Sequence, residues 1–186
     1  FGGVDFDGLS LTTDSKCNII FGASFRHETD FDGQHFATND IVGHLLLKLN
    51  PDGQIIWIKQ IEYNGSQQHI LTVVDSEDTI YILGSNGTSV DGVTTTGNNV
   101  LLKLSPQGEV IWSIPIGEPF SFQGVPIPTP MAINSRDEII VLQNYVDTVE
   151  FAGEVFPSSP DTFSILISMV DSCLLYTSPS PRDLRK

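Results

Sequence analysis

Apolar residues in this chain fall into short blocks parted by polar turns, and two of the blocks are near copies. Residues 45 to 57 read LLLKLNPDGQIIW, and residues 100 to 112 read VLLKLSPQGEVIW. The arms Leu45 to Leu49 and Ile55 to Ile61 are apolar at consecutive positions instead of alternating, which is the pattern of strands covered by protein on both faces. Between the arms, Asn50-Pro51-Asp52-Gly53 and Ser105-Pro106-Gln107-Gly108 put Asn or Ser first, Pro with its fixed φ second, and Gly fourth. This is a type I turn with the glycine free to take positive φ as the next strand begins. The anchor pairs Leu47/Leu102, Gly53/Gly108 and Trp57/Trp112 are each 55 residues apart, a period that belongs to stacked supersecondary units.

A second segment repeats at a slightly different period, because the connections between segments vary in length. LTTDSKCNIIFG (11 to 22), TVVDSEDTIYILG (72 to 84) and MAINSRDEIIVL (131 to 142) align Asp14 with Asp75 and Asn134. Each copy reads as strand, polar turn, strand, variable connection, strand, tight turn, strand. Four-stranded units covered on both faces and repeated in this way fit the blades of a β-propeller. The expected fold class is therefore all-β, with about three four-stranded antiparallel blades, the last truncated, and no significant helix. Trp57 and Trp112 are expected to be buried between neighbouring blades.

On this unit, residues 1–172 form a partial propeller. Residues 1–8 are the end of a preceding blade and a linker, 9–61 and 70–116 are blades, and 131–172 is a truncated blade. After Asp171 the expected turn glycine and the strand with its tryptophan do not follow. Residues 173–186 change character instead: residues 1–172 hold 6 Lys+Arg against 22 Asp+Glu, a net of −16, whereas the last 14 hold 3 basic and 1 acidic, a net of +2. The string CLLYTSPSPRD resembles the conceptual translation of a sequencing adapter, so the tail is set aside as non-native. It is expected to add no fourth strand to the last blade.

The formal net charge of −14, without a basic cluster, disfavours nucleic acid and anionic membrane surfaces as partners. No apolar run approaches the length of a membrane span, so no membrane insertion is expected. Cys17 is read on the second strand of the first blade, and with Cys173 in the tail there is no disulfide framework. A lone thiol on a strand is read as a small buried apolar group. His27, His35, His44 and His69 have no metal-ligand spacing and read as surface residues at loops or strand edges.

Candidate metal chemistry is confined to two oxygen-rich turns ending in glycine. These are Asp5-Phe6-Asp7-Gly8 and Asp30-Phe31-Asp32-Gly33, whose oxygen-rich turns could hold calcium. An EF-hand loop beginning at Asp30 would need a bidentate Glu where Ile41 stands, so ordinary turns are the default reading. No catalytic residue and no cofactor-binding residue is assigned: there is no nucleophile elbow and no phosphate-cradling glycine loop. Asn64-Gly65-Ser66 and Asn86-Gly87-Thr88 match the N-glycosylation pattern, relevant only in a secretory setting.

Asp75-Ser76, Ile80-Tyr81-Ile82-Leu83-Gly84, Leu101-Leu102-Lys103-Leu104, Gly108 and Trp112, with their counterparts in the first copy, resemble the SBBP-type propeller repeat. That resemblance spans residues 9–172 and implies a rigid binding or interaction scaffold of a secreted or cell-surface protein. Its partners would be a protein or carbohydrate ligand and the remaining blades of a longer chain. The long Pro-rich connection at 117–130 departs from the regular repeat. Gly53-x-x-x-Trp57 and Gly108-x-x-x-Trp112 also resemble the glycine-to-tryptophan spacing of quinoprotein propellers, which implies a redox enzyme holding pyrroloquinoline quinone. The chain lacks that family's vicinal cysteine pair and the Asp and Thr-Gly before the tryptophan. A propeller lyase or hydrolase is the other enzymatic reading.

Overall fold

A computed structural model describes residues 7–62, 70–85, 88–90, 92–94, 99–117, 121–122, 125–126, 130–145, 148–151, 154–157, 164–171 and 176–177. Among these residues every regular element is a strand, and every pairing is antiparallel. The first sheet runs β1 (Asp7–Thr13), β2 (Ile19–Phe31), β3 (Gln34–Leu49) and β4 (Ile55–Glu62), in that order. The second begins with β5 (Leu71–Val74) and β6 (Ile80–Ser85). It leaves the sheet for a hairpin of β7 (Ser89–Val90) and β8 (Val93–Thr94), then returns as β9 (Asn99–Leu104) and β10 (Val110–Gly117).

A small hairpin of β11 (Ser121–Phe122) and β12 (Val125–Pro126) precedes the third sheet. That sheet holds β13 (Met131–Ile133) and β14 (Ile139–Tyr145), a hairpin excursion of β15 (Thr148–Phe151) and β16 (Glu154–Pro157), then β17 (Ser164–Val170) and β18 (Tyr176–Thr177). Three four-stranded antiparallel meanders follow one another along the chain, the arrangement of successive propeller blades. Among the described residues, the fourth strand of the last blade comprises the two residues of β18, against eight each in β4 and β10. Those two residues lie in the segment set aside as foreign, so the tail does supply a stub of the strand it was expected to lack. Tyr176 and Thr177 pair with Val170 and Met169.

The three blades share one register. Ile19, Ile80 and Ile139 open their second strands opposite Leu49, Leu104 and Val170, and the next residues, Ile20, Tyr81 and Ile140, face Lys48, Lys103 and Met169. Because a strand turns successive side chains to opposite faces, the register decides which residues meet the neighbouring blade. Ile20, Leu46 and Ile61 of the first blade pack against Ile80, Ile82, Leu102 and Leu104 of the second. Tyr81, Leu83, Leu101 and Ile116 of the second pack against Ile139, Val141, Leu166 and Val170 of the third. Both faces of the middle blade are thereby covered, which is why its strands read as continuous apolar runs.

Trp57 and Trp112 flank the first and second of these interfaces, but they are half-buried at its margin instead of lying in the core. Trp57 Nε1 donates to the carbonyl of Pro106 at 3.1 Å, and the Trp112 ring lies 6.1 Å from that of Tyr81 at 59°. An indole keeps one polar edge, and the margin is where that edge finds an acceptor.

The hairpins between second and third strands have a second task. β7 pairs with β4 through Ile61 to Val90 and Glu62 to Ser89, so the connection of the second blade extends the sheet of the first. β15 packs likewise against β10, the last strand of the second blade. In the first blade the corresponding hairpin is formed by β2 and β3 themselves, which run on well past the sheet. Phe25 and Phe36, with Phe31 partly buried beside them, fold over Ala23, Leu45 and Leu47 on the face turned away from the second blade. Gly43 lies opposite Phe25, and a Cβ there would collide with the ring.

Candidate functional site

Antiparallel meandering puts the two tight turns of each blade on one rim and the long hairpins on the other. The five turns of the first rim among the described residues share one design. Asn50 Oδ1 accepts from the N–H groups of Asp52 (3.1 Å) and Gln54 (2.8 Å), and Ser105 Oγ accepts from Gln107 and Glu109 at 3.2 Å each. Asp14, Asp75 and Asn134 accept in the same way from the residues two and four positions on. The fourth turn residue takes positive φ, at 79° in Gly53 and 81° in Gly108, as a type I turn running into a strand requires.

In the turns between first and second strands that fourth residue is not glycine. Cys17, Asp78 and Asp137 hold φ of 61°, 65° and 59°. Two of these residues reach the preceding blade. The N–H and hydroxyl of Ser15 donate to Asp78 Oδ1 and Oδ2 at 2.7 and 2.9 Å, and Ser76 donates both groups to Asp137 in the same manner. The first blade is thus clasped to the second, and the second to the third, by one carboxylate that receives two hydrogen bonds. The two donors of Ser76 hold the Asp137 carboxyl below its ordinary range.

Cys17 corrects the expectation made for it. It lies in the turn and not on the second strand, and it is exposed. Its backbone fills the place of Asp78 and Asp137, but its side chain carries no carboxylate.

Beneath the turns lies a buried ion pair. Lys48 Nζ is 2.9 Å from Asp14 Oδ2, with 5% and 1% of the two side chains exposed, and it donates to the Pro106 carbonyl of the next blade at 3.1 Å. Burial pushes the Asp14 carboxyl upward. The Asn18 amide, the Lys48 ammonium and the N–H groups of Asn18 and Lys16 outweigh that effect and hold it at about 2. In the second blade Tyr81 donates to Asp75 Oδ2 at 3.0 Å, and the Lys103 ammonium lies 5.5 Å from the Tyr81 ring centroid. Burial and the neighbouring Asp75 carboxylate raise the Tyr81 hydroxyl far above its ordinary value, so it stays protonated. In the third blade Asn134 takes the place of the acid and Met169 that of the lysine, and the Asn134 amide donates to Glu138 Oε2 at 2.6 Å. Charge is removed from both members of the pair together.

The other rim carries the candidate calcium turn. Asp32 and Gly33, at φ of 50° and 74°, form the two-residue turn joining β2 to β3, the left-handed pair that a tight hairpin needs. Asp30 accepts a 2.9 Å hydrogen bond from His35 Nδ1, and Glu28 stands 4.0 Å from the other ring nitrogen, all three side chains being exposed. Asp7 begins β1, far along the chain from that turn, while Asp5 falls outside the described residues. Among the described residues no group of three or more His, Cys, Asp or Glu is placed to hold a metal ion.

His44 also departs from its expected surface position. It is buried on β3 between Ser24 and Ile61, on the side of Leu46 and Lys48 that the second blade covers. His27 and His35 are exposed, and His69 falls outside the described residues. No helix among the described residues is long and apolar enough to cross a membrane. No protein-family model and no curated protein matches this chain.

Proposed function

We propose that this chain is a rigid recognition scaffold, a set of propeller blades of the SBBP type from a secreted or cell-surface protein, which takes a protein or carbohydrate ligand on its hairpin rim. One observation carries the reading. The buried charges described above are engaged in holding turns and blades together, whereas among the described residues the opposite rim bears hairpins of unlike length. They include the long β2–β3 arm, the short hairpins β7–β8 and β11–β12, and the four-residue strands β15 and β16. A uniform frame that carries divergent exposed elements is the division of labour expected of a binding module.

The β2–β3 arm is the strongest contact surface, with exposed Arg26, His27, Glu28, Asp30, Gln34 and His35. The immobilised chain should retain members of an array of neutral glycans and basic peptides. The triple variant Arg26→Ala/Asp30→Ala/His35→Ala should lose at least tenfold in affinity with no change in melting temperature. Turnover of a glycan on the array, or tight binding of pyrroloquinoline quinone, would replace this reading by a lyase, hydrolase or quinoprotein.

Residues 173–186 we read as foreign to the repeat. The jump in composition at residue 173 supports this. Ending the chain after Ser172 is expected to shift the melting temperature by no more than about 2 °C, since two terminal pairings of an edge strand add little. A drop well beyond that would make the tail part of the fold.

A further inference from the structure

Equivalent positions in the three blades are not equally covered. Leu46, Leu101 and Ile167 occupy one repeat position, three residues before Leu49, Leu104 and Val170; Leu46 and Leu101 pack against the blade that follows, and Ile167 lies on the equivalent face of the third blade. Leu46 and Leu101 are 0% exposed, whereas Ile167 is 53% exposed and its neighbour on the same face, Ile165, 57%. The clasp stops at the same place. Ser15 and Ser76 each give an N–H and a hydroxyl to an aspartate of the next blade. Ser135 stands in the same turn with the same two donors, exposed, and no carboxylate meets it among the described residues.

We propose that this face of the third blade is a docking surface for one further blade of the same kind, carrying an aspartate at the positive-φ position of its first turn. The occupant follows from continuity with the two existing junctions, which are built from the same parts in the same register: an apolar face, a serine on one side and an aspartate on the other. The first blade of a second copy of this chain does not match. It presents Cys17 where the aspartate must be, and its outward apolar residues Ala23, Leu45 and Leu47 already lie under Phe25, Phe36 and Phe31. The two ends of the arc are therefore not complementary. The proposal stands apart from whether the hairpin rim binds a ligand.

The test adds a second copy of residues 70–117 after Lys186 of the full chain. That segment contains Asp78 and the face formed by Ile80, Ile82, Leu102 and Leu104, which docks on the first blade. A lone four-stranded blade cannot cover its own faces, so its folding is itself a readout. The extended chain should melt in a single transition above that of the parent, with slowed amide exchange in β14 and β17. Ser135→Ala should lower its melting temperature by about 5 °C and leave the parent unchanged, and Asp78→Asn in the added copy should reproduce that loss without adding to it.

An added copy that stays unfolded or melts separately would overturn the proposal, as would a Ser135→Ala change that is silent in the extended chain. A parent dimer that forms with rising concentration and disappears on Ile167→Asp would assign the face to a second copy instead.

Discussion

Replacing Lys48 with alanine is expected to lower stability by about 3 to 5 kcal/mol, the usual cost of leaving one member of a buried ion pair without its partner. The stranded group is the Asp14 carboxylate, 1% exposed, and the Pro106 carbonyl loses a donor as well. The double variant Asp14→Asn/Lys48→Met should recover most of the loss, because the third blade already uses Asn134 and Met169 at these positions. Acid supplies a second arm. The folded Asp14 carboxyl is held at about 2, below its unfolded value, so its contribution is fully present above about pH 4 and disappears as the pH falls toward 2. That contribution is about 2 kcal/mol, and the double variant should lose correspondingly less over the same range. Urea unfolding followed by tryptophan fluorescence reads all three proteins. A single variant that loses under 1 kcal/mol, or a double variant no more stable than the single, would contradict the assignment.

Leu46→Ala and Leu101→Ala should each cost about 2 to 5 kcal/mol, while Ile167→Ala should cost under about 1. The three substitutions remove similar side chains from one repeat position, and only the covering blade differs between them. Equal losses at all three sites would mean that the faces are not covered by successive blades in the way described.

The parts of this fold that could be read from the sequence are those whose causes lie within a few residues. Asn50-Pro51-Asp52-Gly53 encodes its turn in four consecutive letters, and the positive φ of Gly53 follows. The equivalence of Asp14, Asp75 and Asn134 was likewise visible in aligned copies. The clasp was not, because Ser15 and Asp78 are 63 residues apart and the position reads Cys, Asp, Asp across the three blades. A signal did exist: these residues align with the turn glycines Gly53 and Gly108, and a side chain held at positive φ suggests that it has work to do elsewhere. The matched change from Asp14 and Lys48 to Asn134 and Met169 was also present in the letters, but only the register shows that the two positions touch. His44 looked like a surface residue because one polar letter in an apolar run does not say which face it takes. Strands of two residues, such as β7 and β8, are too short to leave any pattern. On the hairpin rim, Asp32-Gly33 was legible as a turn, and the structure makes it the two-residue link between β2 and β3.

The pairing of β7 with β4 places an order on biosynthesis. Glu62 ends β4 and Ser89 begins the strand that pairs with its last two residues, so 27 residues (89 − 62) separate the end of that edge from its partner. At about 5 to 20 residues per second, the end of that edge stands without its partner on the ribosome for roughly 1 to 5 s. An unpaired strand edge is a template for any other extended chain nearby, including the same segment on a neighbouring ribosome of one message. Slow codons between residues 62 and 89 would therefore be expected to raise aggregation of the nascent protein, whereas slow codons after residue 94, once both arms of the hairpin have been made, would not.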